Sequence, residues 1–337
     1  MPNYRIRMEV SDEKVDTSIK NVSIGNKKIT TPFKSFSRSG SDGIVEISAQ
    51  ISNTLLEKAY NGISNLDNLP KKCKSNSINT IIPLFMDAEI SDKYLSVMEN
   101  RIHPLSDIVV VPRWEGILSA KRDTMLAEDL WDVSYRYIEE VRKSNGKLIM
   151  GNIPLNKPQS VVEYLLNHYL KEGITSFILD YGGCKVLNKS FNTRNISKIL
   201  EDHTDDGDYL LYSVNMRKSH DYEQIMPADD FLSFSNCCDI MGNYHLRGGG
   251  NPTVVKCFSR NSWTYDKVQV NADNTGYKYT NEHLMNSEME GVKAEIIENG
   301  TALDLMKRKP GAKEYTIISR QHTLFEIGFD VPGMRWD

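Results

Sequence analysis

Six short apolar runs, each followed by a stretch of helical character, pace the middle of this 337-residue chain. They are Ile81 to Met86, Ile108 to Pro112, Leu148 to Ile153, Phe177 to Leu179, Leu210 to Val214 and Asp239 to Met241. A strand buried on both faces reads as a continuous apolar run, and strands alternating with helices imply parallel crossover units. One or two further strands in the first 50 residues bring the count to seven or eight. That count favours an α/β fold of the closed (β/α)8 TIM-barrel type over an open doubly wound sheet.

The flanks of the repeat differ from it. Tyr4, Ile6, Met8 and Val10 alternate with polar residues, the pattern of a half-buried strand, and Val22, Ile24 and Ile29 flank a Gly25-Asn26 turn. An N-terminal β-hairpin is therefore expected, ending at Thr31-Pro32. Ile44 to Ile51 opens a strand or a helix, Leu55 to Tyr60 reads as helix, and Asn61 to Asn79 reads as loop. Helices are expected near Asp92 to Arg101, Leu126 to Lys143, after Pro158, Ile196 to Glu201 and Tyr222 to Phe234. Beyond residue 246 the repeat stops. Two strand-like runs, at Val254 to Phe258 and Trp263 to Val270, precede an amphipathic helix over Glu282 to Asn299 and a short one from Leu303 to Lys307. The expected organisation is a barrel with its N-terminal β segment over 1–246 and a partly helical C-terminal extension over 247–337.

Composition narrows the function only modestly. With 41 Lys and Arg against 45 Asp and Glu, the net charge of −4 argues against a general polyanion binder but leaves room for a local basic patch. Five cysteines (Cys73, Cys184, Cys237, Cys238 and Cys257) form no CxxC and no regular framework, so free thiols in a reduced compartment are expected. No secretory signal and no membrane-length apolar stretch is visible, and the reading is a cytoplasmic protein without a membrane partner.

In such folds chemistry sits just beyond the C-terminal ends of the strands. Asp87, Arg113, Glu115, Asn152, Asp180, Asn215, Arg217, Asn243 and His245 all fall there. The carboxylates of Asp87 and Asp180, two guanidinium groups and three amides suit a polar ligand with hydrogen-bonding edges and an anionic group. Asp180 or Asp87 is the candidate catalyst, as nucleophile or base. Arg113, Glu115, Asn152, Asn215, Arg217, Asn243 and His245 are candidate ligand contacts. Each has a plain structural alternative. An Asp after a strand also caps helices, Gly182-Gly183 also makes an ordinary turn, Arg113 and Glu115 can simply pair, and His245 can be a hydrogen-bonded core residue. No HExxH, CxxC, GxGxxG or GxSxG is present, and Gly248-Gly249-Gly250 lacks the Lys-Ser/Thr of a phosphate loop. No metal or cofactor is expected.

Several segments resemble the tRNA-guanine transglycosylase superfamily, including its archaeal and DNA-modifying relatives. IGNKKITTPFKSFS is similar to that family's opening hairpin, CCDIMGNYHLRGG to its late barrel strand, and VVKCFSRNSWTYDKV with the following Glu-rich helix to what comes next. The resemblance implies a (β/α)8 barrel that exchanges a guanine base in tRNA or DNA for a 7-deazaguanine through an aspartate nucleophile. The nucleic acid or a nucleobase would be its partner, in a homo- or hetero-oligomer. The family places its nucleophile three residues after the Asp of the late strand, which from Asp239 reaches Gly242. A relocated carboxylate or a non-catalytic, nucleic-acid-binding or partner-binding barrel are the alternatives that follow.

Overall fold

The computed structural model describes residues 3–37, 42–63, 66, 68–120, 123–143, 146–205, 207–216, 226–246, 254–269 and 275–317. Its N-terminal strands β1 (Tyr4–Asp12), β2 (Thr17–Ile24) and β3 (Lys27–Thr30) form an antiparallel sheet of their own. Gly25 adopts a φ of +59° in the β2–β3 turn, a left-handed conformation that glycine enters at no steric cost.

The central sheet is wholly parallel. It comprises β4 (Phe33–Lys34), β5 (Ile44–Ile51), β6 (Ile78–Phe85), β7 (Ile108–Val110), β8 (Arg113–Trp114), β9 (Leu148–Pro154), β10 (Ser176–Asp180), β11 (Leu211–Val214) and β12 (Ile240–Met241). From β5 the order runs β6, β7, β9, β10, β11, β12 and then β4, with β8 continuing the β7 line beside β6. With β8 set aside, each strand from β6 to β12 thus lies next to the one before it in the chain, and β4 is out of sequence. Just past β4, the Phe36 N–H donates to Ile44 O and the Glu46 N–H donates to Phe36 O, both at 2.8 Å. A residue just beyond β4 is therefore bridged to β5 at the other end of the path.

Helices connect the strands: α1 (Asn53–Tyr60) and α2 (Asn68–Lys72), α3 (Asp92–Arg101), α4 (Glu115–Ala120) and α5 (Asp123–Arg142), α6 (Gln159–Lys171), α7 (Ser190–His203) and α8 (Asp229–Leu232). Helix α2 interrupts the loop expected over Asn61 to Asn79, and β6 begins at Ile78 within it. Helix α7 starts six residues before the expected Ile196. The helix expected over Tyr222 to Phe234 is confined, among the described residues, to the single turn of α8. A hairpin of β13 (Val254–Ser259) and β14 (Thr264–Gln269) then leads to α9 (Thr275–Asn299) and α10 (Leu303–Lys307). Helix α9 lies beyond the boundary expected at 246, yet it packs on β4. There the Asn286 side chain accepts from Lys34 N and donates to Lys34 O, each at 2.8 Å. Ile297, expected on its apolar face, is 65% exposed, while Met285, Met289, Val292 and Ile296 are buried.

Alternation along the strands divides the core in two. Val45, Ile81, Phe85, Val109, Phe177, Leu179 and Leu211 pack with the helices. Ile44, Ile78, Ile82, Ile108, Val110, Leu148, Met150, Ile178, Leu210, Tyr212, Val214 and Ile240 pack together on the other face. This second cluster contains no helical residue. It is completed by Ile6, Val22, Ile24 and Ile29 of the N-terminal sheet, so that sheet seals one end of the helix-free face. Each such side chain contributes about 1.5–3 kcal/mol by leaving water.

Candidate functional site

The helix-free face turns polar toward the C-terminal ends of β9 and β10, and near the start of β5 at Glu46. Glu46 follows Ile44 on that face, Asn152 follows Met150, and Asp180 follows Ile178, two residues further along each strand. All three are buried, with Asp180 completely so.

Asp180 is held by three donors. Its Oδ1 accepts from Gly182 N at 2.9 Å and from Asn215 Nδ2 at 3.0 Å, and its Oδ2 accepts from Arg113 Nη1. Arg113 Nε in turn donates to Glu115 Oε2 at 2.6 Å. Burial opposes the charge on Arg113, but the Asp180 and Glu115 carboxylates outweigh it and raise its pKa. Glu115 is affected in the opposite sense: burial favours its neutral form, and the Arg113 hydrogen bond and charge hold it below the usual carboxylate value. The backbone makes the arrangement possible. Gly182 has a φ of +55° and sits so close to Asn156 that an added Cβ would lie 2.3 Å from its Cγ. Asn215, at φ +58°, is a residue type that tolerates the left-handed region, and its N–H donates to Asn243 O at 3.1 Å.

From Asn215 the network continues across the sheet. Its Oδ1 accepts from His245 N at 2.8 Å, and the His245 ring Nε2 bonds the carboxylate of Glu46. Glu46 also accepts from Asn243 N at 2.8 Å, Ser35 Oγ at 2.9 Å and the Tyr212 hydroxyl. Burial alone would raise the Glu46 pKa. The His245 ring, the Lys34 ammonium and the Tyr212 hydroxyl win, and hold it at about 2. Tyr212 is pushed well above its ordinary value by burial and by that carboxylate. Lys34 Nζ lies 3.3 Å from Asn243 Oδ1 and 3.7 Å from Asp230 Oδ2. One continuous hydrogen-bonded chain therefore joins Glu115, Arg113, Asp180, Asn215, His245, Glu46 and Asn243.

Of the residues singled out in the sequence, this chain gathers Arg113, Glu115, Asp180, Asn215, Asn243 and His245. Asn152 is buried nearby, and its Nδ2 has no partner among the described residues. It borders, with Arg113, a space of only about 10 Å³, room for at most one water. Asp87 does something else. Its Oδ2 accepts from Asn53 N at 2.6 Å at the start of α1, where Ser52 is the N-cap. The carboxylate thus serves a helix end, as an anion near a helix N-terminus does. Arg217 lies outside the described residues.

Glu46 was not singled out from the sequence. A charge inside the apolar run Ile44-Val45-Glu46-Ile47 was its signal. Its position also accounts for the glycine at 242. A Cβ there would come 2.3 Å from Ser213 O and 2.7 Å from Glu46 Oε2, so the space is already taken by backbone and by the Glu46 carboxylate.

Among the described residues no group of His, Cys, Asp and Glu is arranged to hold a metal, and no helix is long and apolar enough to cross a membrane. No protein-family model matches the chain, and no curated protein matches it either.

Proposed function

We propose that the chain is a (β/α)8 barrel enzyme of the transglycosylase type, exchanging a guanine-type base in nucleic acid at the C-terminal ends of its strands. Support for closure comes from the Phe36 hydrogen bonds to β5 and from the single helix-free cluster that includes both Ile44 and Ile240. The observation that carries the functional reading is the hydrogen-bonded chain from Glu115 to Asn243, which collects ligand-reading groups on neighbouring strands and the loops that follow them.

Asp180 is the proposed nucleophile. An ionised carboxylate has about four acceptor sites; three here are filled, and one on Oδ2 remains. The Arg113 guanidinium lies directly against Oδ2. In the reaction an Asp180 oxygen bonds the sugar C1′ as the C1′–N bond to the base breaks. The base leaves with that electron pair and takes a proton from an acid, for which His245 is the proposed candidate. The incoming base, losing a proton, then displaces the carboxylate and restores it. Because Asp180 is buried, ligand entry has to shift Arg113 away from Oδ2.

Retention of labelled guanine in tRNA or duplex DNA tests this reading. Wild type should incorporate label, and Asp180→Asn should lose at least about 100-fold while remaining folded, the scale on which enzymes depend on a covalent catalyst. Incorporation at the wild-type rate by that variant sinks the proposed role. A second reading, a barrel that binds nucleic acid without turnover, is favoured by the burial of Asp180 and by the absence of a side chain at Gly242. It predicts tight nucleic-acid binding and no label retained with any variant.

A further inference from the structure

A cavity of about 600 Å³ lies beside the network, lined by Ser37, residues 45–48 of β5, Lys71 and Lys72 of α2, Tyr244, His245 and Lys278 of α9. It falls within the size range of small-molecule sites, about 300–1,000 Å³. Its charge is one-sided. Glu46 is the only carboxylate among the described lining residues, and His245 and Lys34 already compensate it. Lys71 and Lys72 are exposed, and neither has a carboxylate within 4.0 Å among the described residues. Lys278 adds a third amine. Tyr244 is 38% exposed beside His245, presenting an aromatic side chain in the same cavity. The His245 Nδ1 has no hydrogen-bond partner among the described residues. Lysines on a helix end are usually just solvated. These border the same cavity as a buried Glu–His pair and an aromatic ring.

We propose that this cavity binds a nucleotide unit, its phosphate on Lys71 and Lys72, its base against Tyr244 and hydrogen-bonded by His245. Amines attract the phosphate and a ring face accepts any base by stacking, which together define a nucleotide rather than a free base or a simple anion. The proposal deepens the base-exchange reading by placing the ligand, and it rests on that reading only for its biological context.

Isothermal titration of the full chain with GMP, guanosine, inorganic phosphate and a short single-stranded oligonucleotide is the test. GMP should bind more tightly than guanosine and than phosphate alone, and its affinity should fall as ionic strength rises. Lys71→Ala/Lys72→Ala should weaken GMP by about tenfold, and Tyr244→Ala by a similar factor. Lys71→Arg/Lys72→Arg should restore it, which a folding defect would not allow. The oligonucleotide arm separates a free nucleotide from one within a strand: whichever source binds, the lysine variants must weaken it. Equal affinity for phosphate and GMP, unaffected by Tyr244→Ala, overturns the proposal, as does binding indifferent to the lysines or no binding at all. Guanine exchange is read separately by label retention, so loss of one result leaves the other standing.

Discussion

Replacing Glu46 probes the junction on which both halves of the site depend. Four groups donate to its carboxylate, His245, Tyr212, Ser35 and the Asn243 backbone, and the Lys34 ammonium adds charge. Glu46→Gln keeps the shape. The amide oxygen can face Asn243 N–H and His245, while the two hydroxyls reverse and accept from the amide nitrogen. What disappears is the charge. The folded carboxyl is held at about 2, against an ordinary 4.5. At about 1.4 kcal/mol per pH unit this is worth about 3 kcal/mol at neutral pH. The folded pKa is depressed, so the contribution is complete above the unfolded value and shrinks as pH falls toward the folded one. Urea unfolding of wild type and Glu46→Gln should therefore differ by about 3 kcal/mol at pH 7 and by about 2 kcal/mol at pH 3.5. Glu46→Leu removes the acceptor shared by all four donors and should cost about 3–5 kcal/mol at pH 7. A gap of less than about 1 kcal/mol for Glu46→Gln at pH 7, or one that does not narrow in acid, refutes the reasoning.

Three other outcomes follow from the same geometry. Lys20 is buried with its Nζ 3.0 Å from both Asp239 Oδ2 and Tyr209 O, so Lys20→Met should cost about 3–5 kcal/mol in urea unfolding by stranding a charge. Adding Asp239→Asn should return at least about 1 kcal/mol of that loss; strict additivity contradicts the pairing. Gly242→Ala drives a Cβ to 2.3 Å from a backbone oxygen, and calorimetric melting should show a loss of at least about 1–3 kcal/mol. Asp87→Ala should remove about 1 kcal/mol of stability through α1 and leave guanine retention unchanged; a catalytic loss there reassigns the residue.

Much of the sheet was legible because parallel strands are buried on both faces. β9 and β10 start within a residue of the runs Leu148 to Ile153 and Phe177 to Leu179. β6 begins three residues before its apolar run because Asn79 and Thr80 interrupt the pattern. Asn79 is accommodated by the turn before it, giving to Lys74 O and Ser77 O and accepting from Lys74 N, and by the distant Asp107 carboxylate, which accepts from its backbone N–H and its Nδ2. Helix α2 was hidden by its Asn, Pro and Lys content, since short helices draw their stability from packing more than propensity. The site divides similarly. Asp180, Arg113 and Asn215 stand immediately after apolar runs, where position alone marks them. Glu46 and Lys20 lie inside strands, and only tertiary partners from β11, β12 and the adjoining loop reveal why a charge is tolerated there. Asp87 shows the reverse: its position after β6 marks it, and its contact is with a helix end.

The most direct measurement is a crystal structure of the protein grown with GMP. It should show the phosphate within hydrogen-bond distance of Lys71 or Lys72, the base against Tyr244, and Asp180, Asn215, His245 and Glu46 still joined in one hydrogen-bonded chain. GMP seated elsewhere in the molecule, or those four side chains parted from one another, would contradict it.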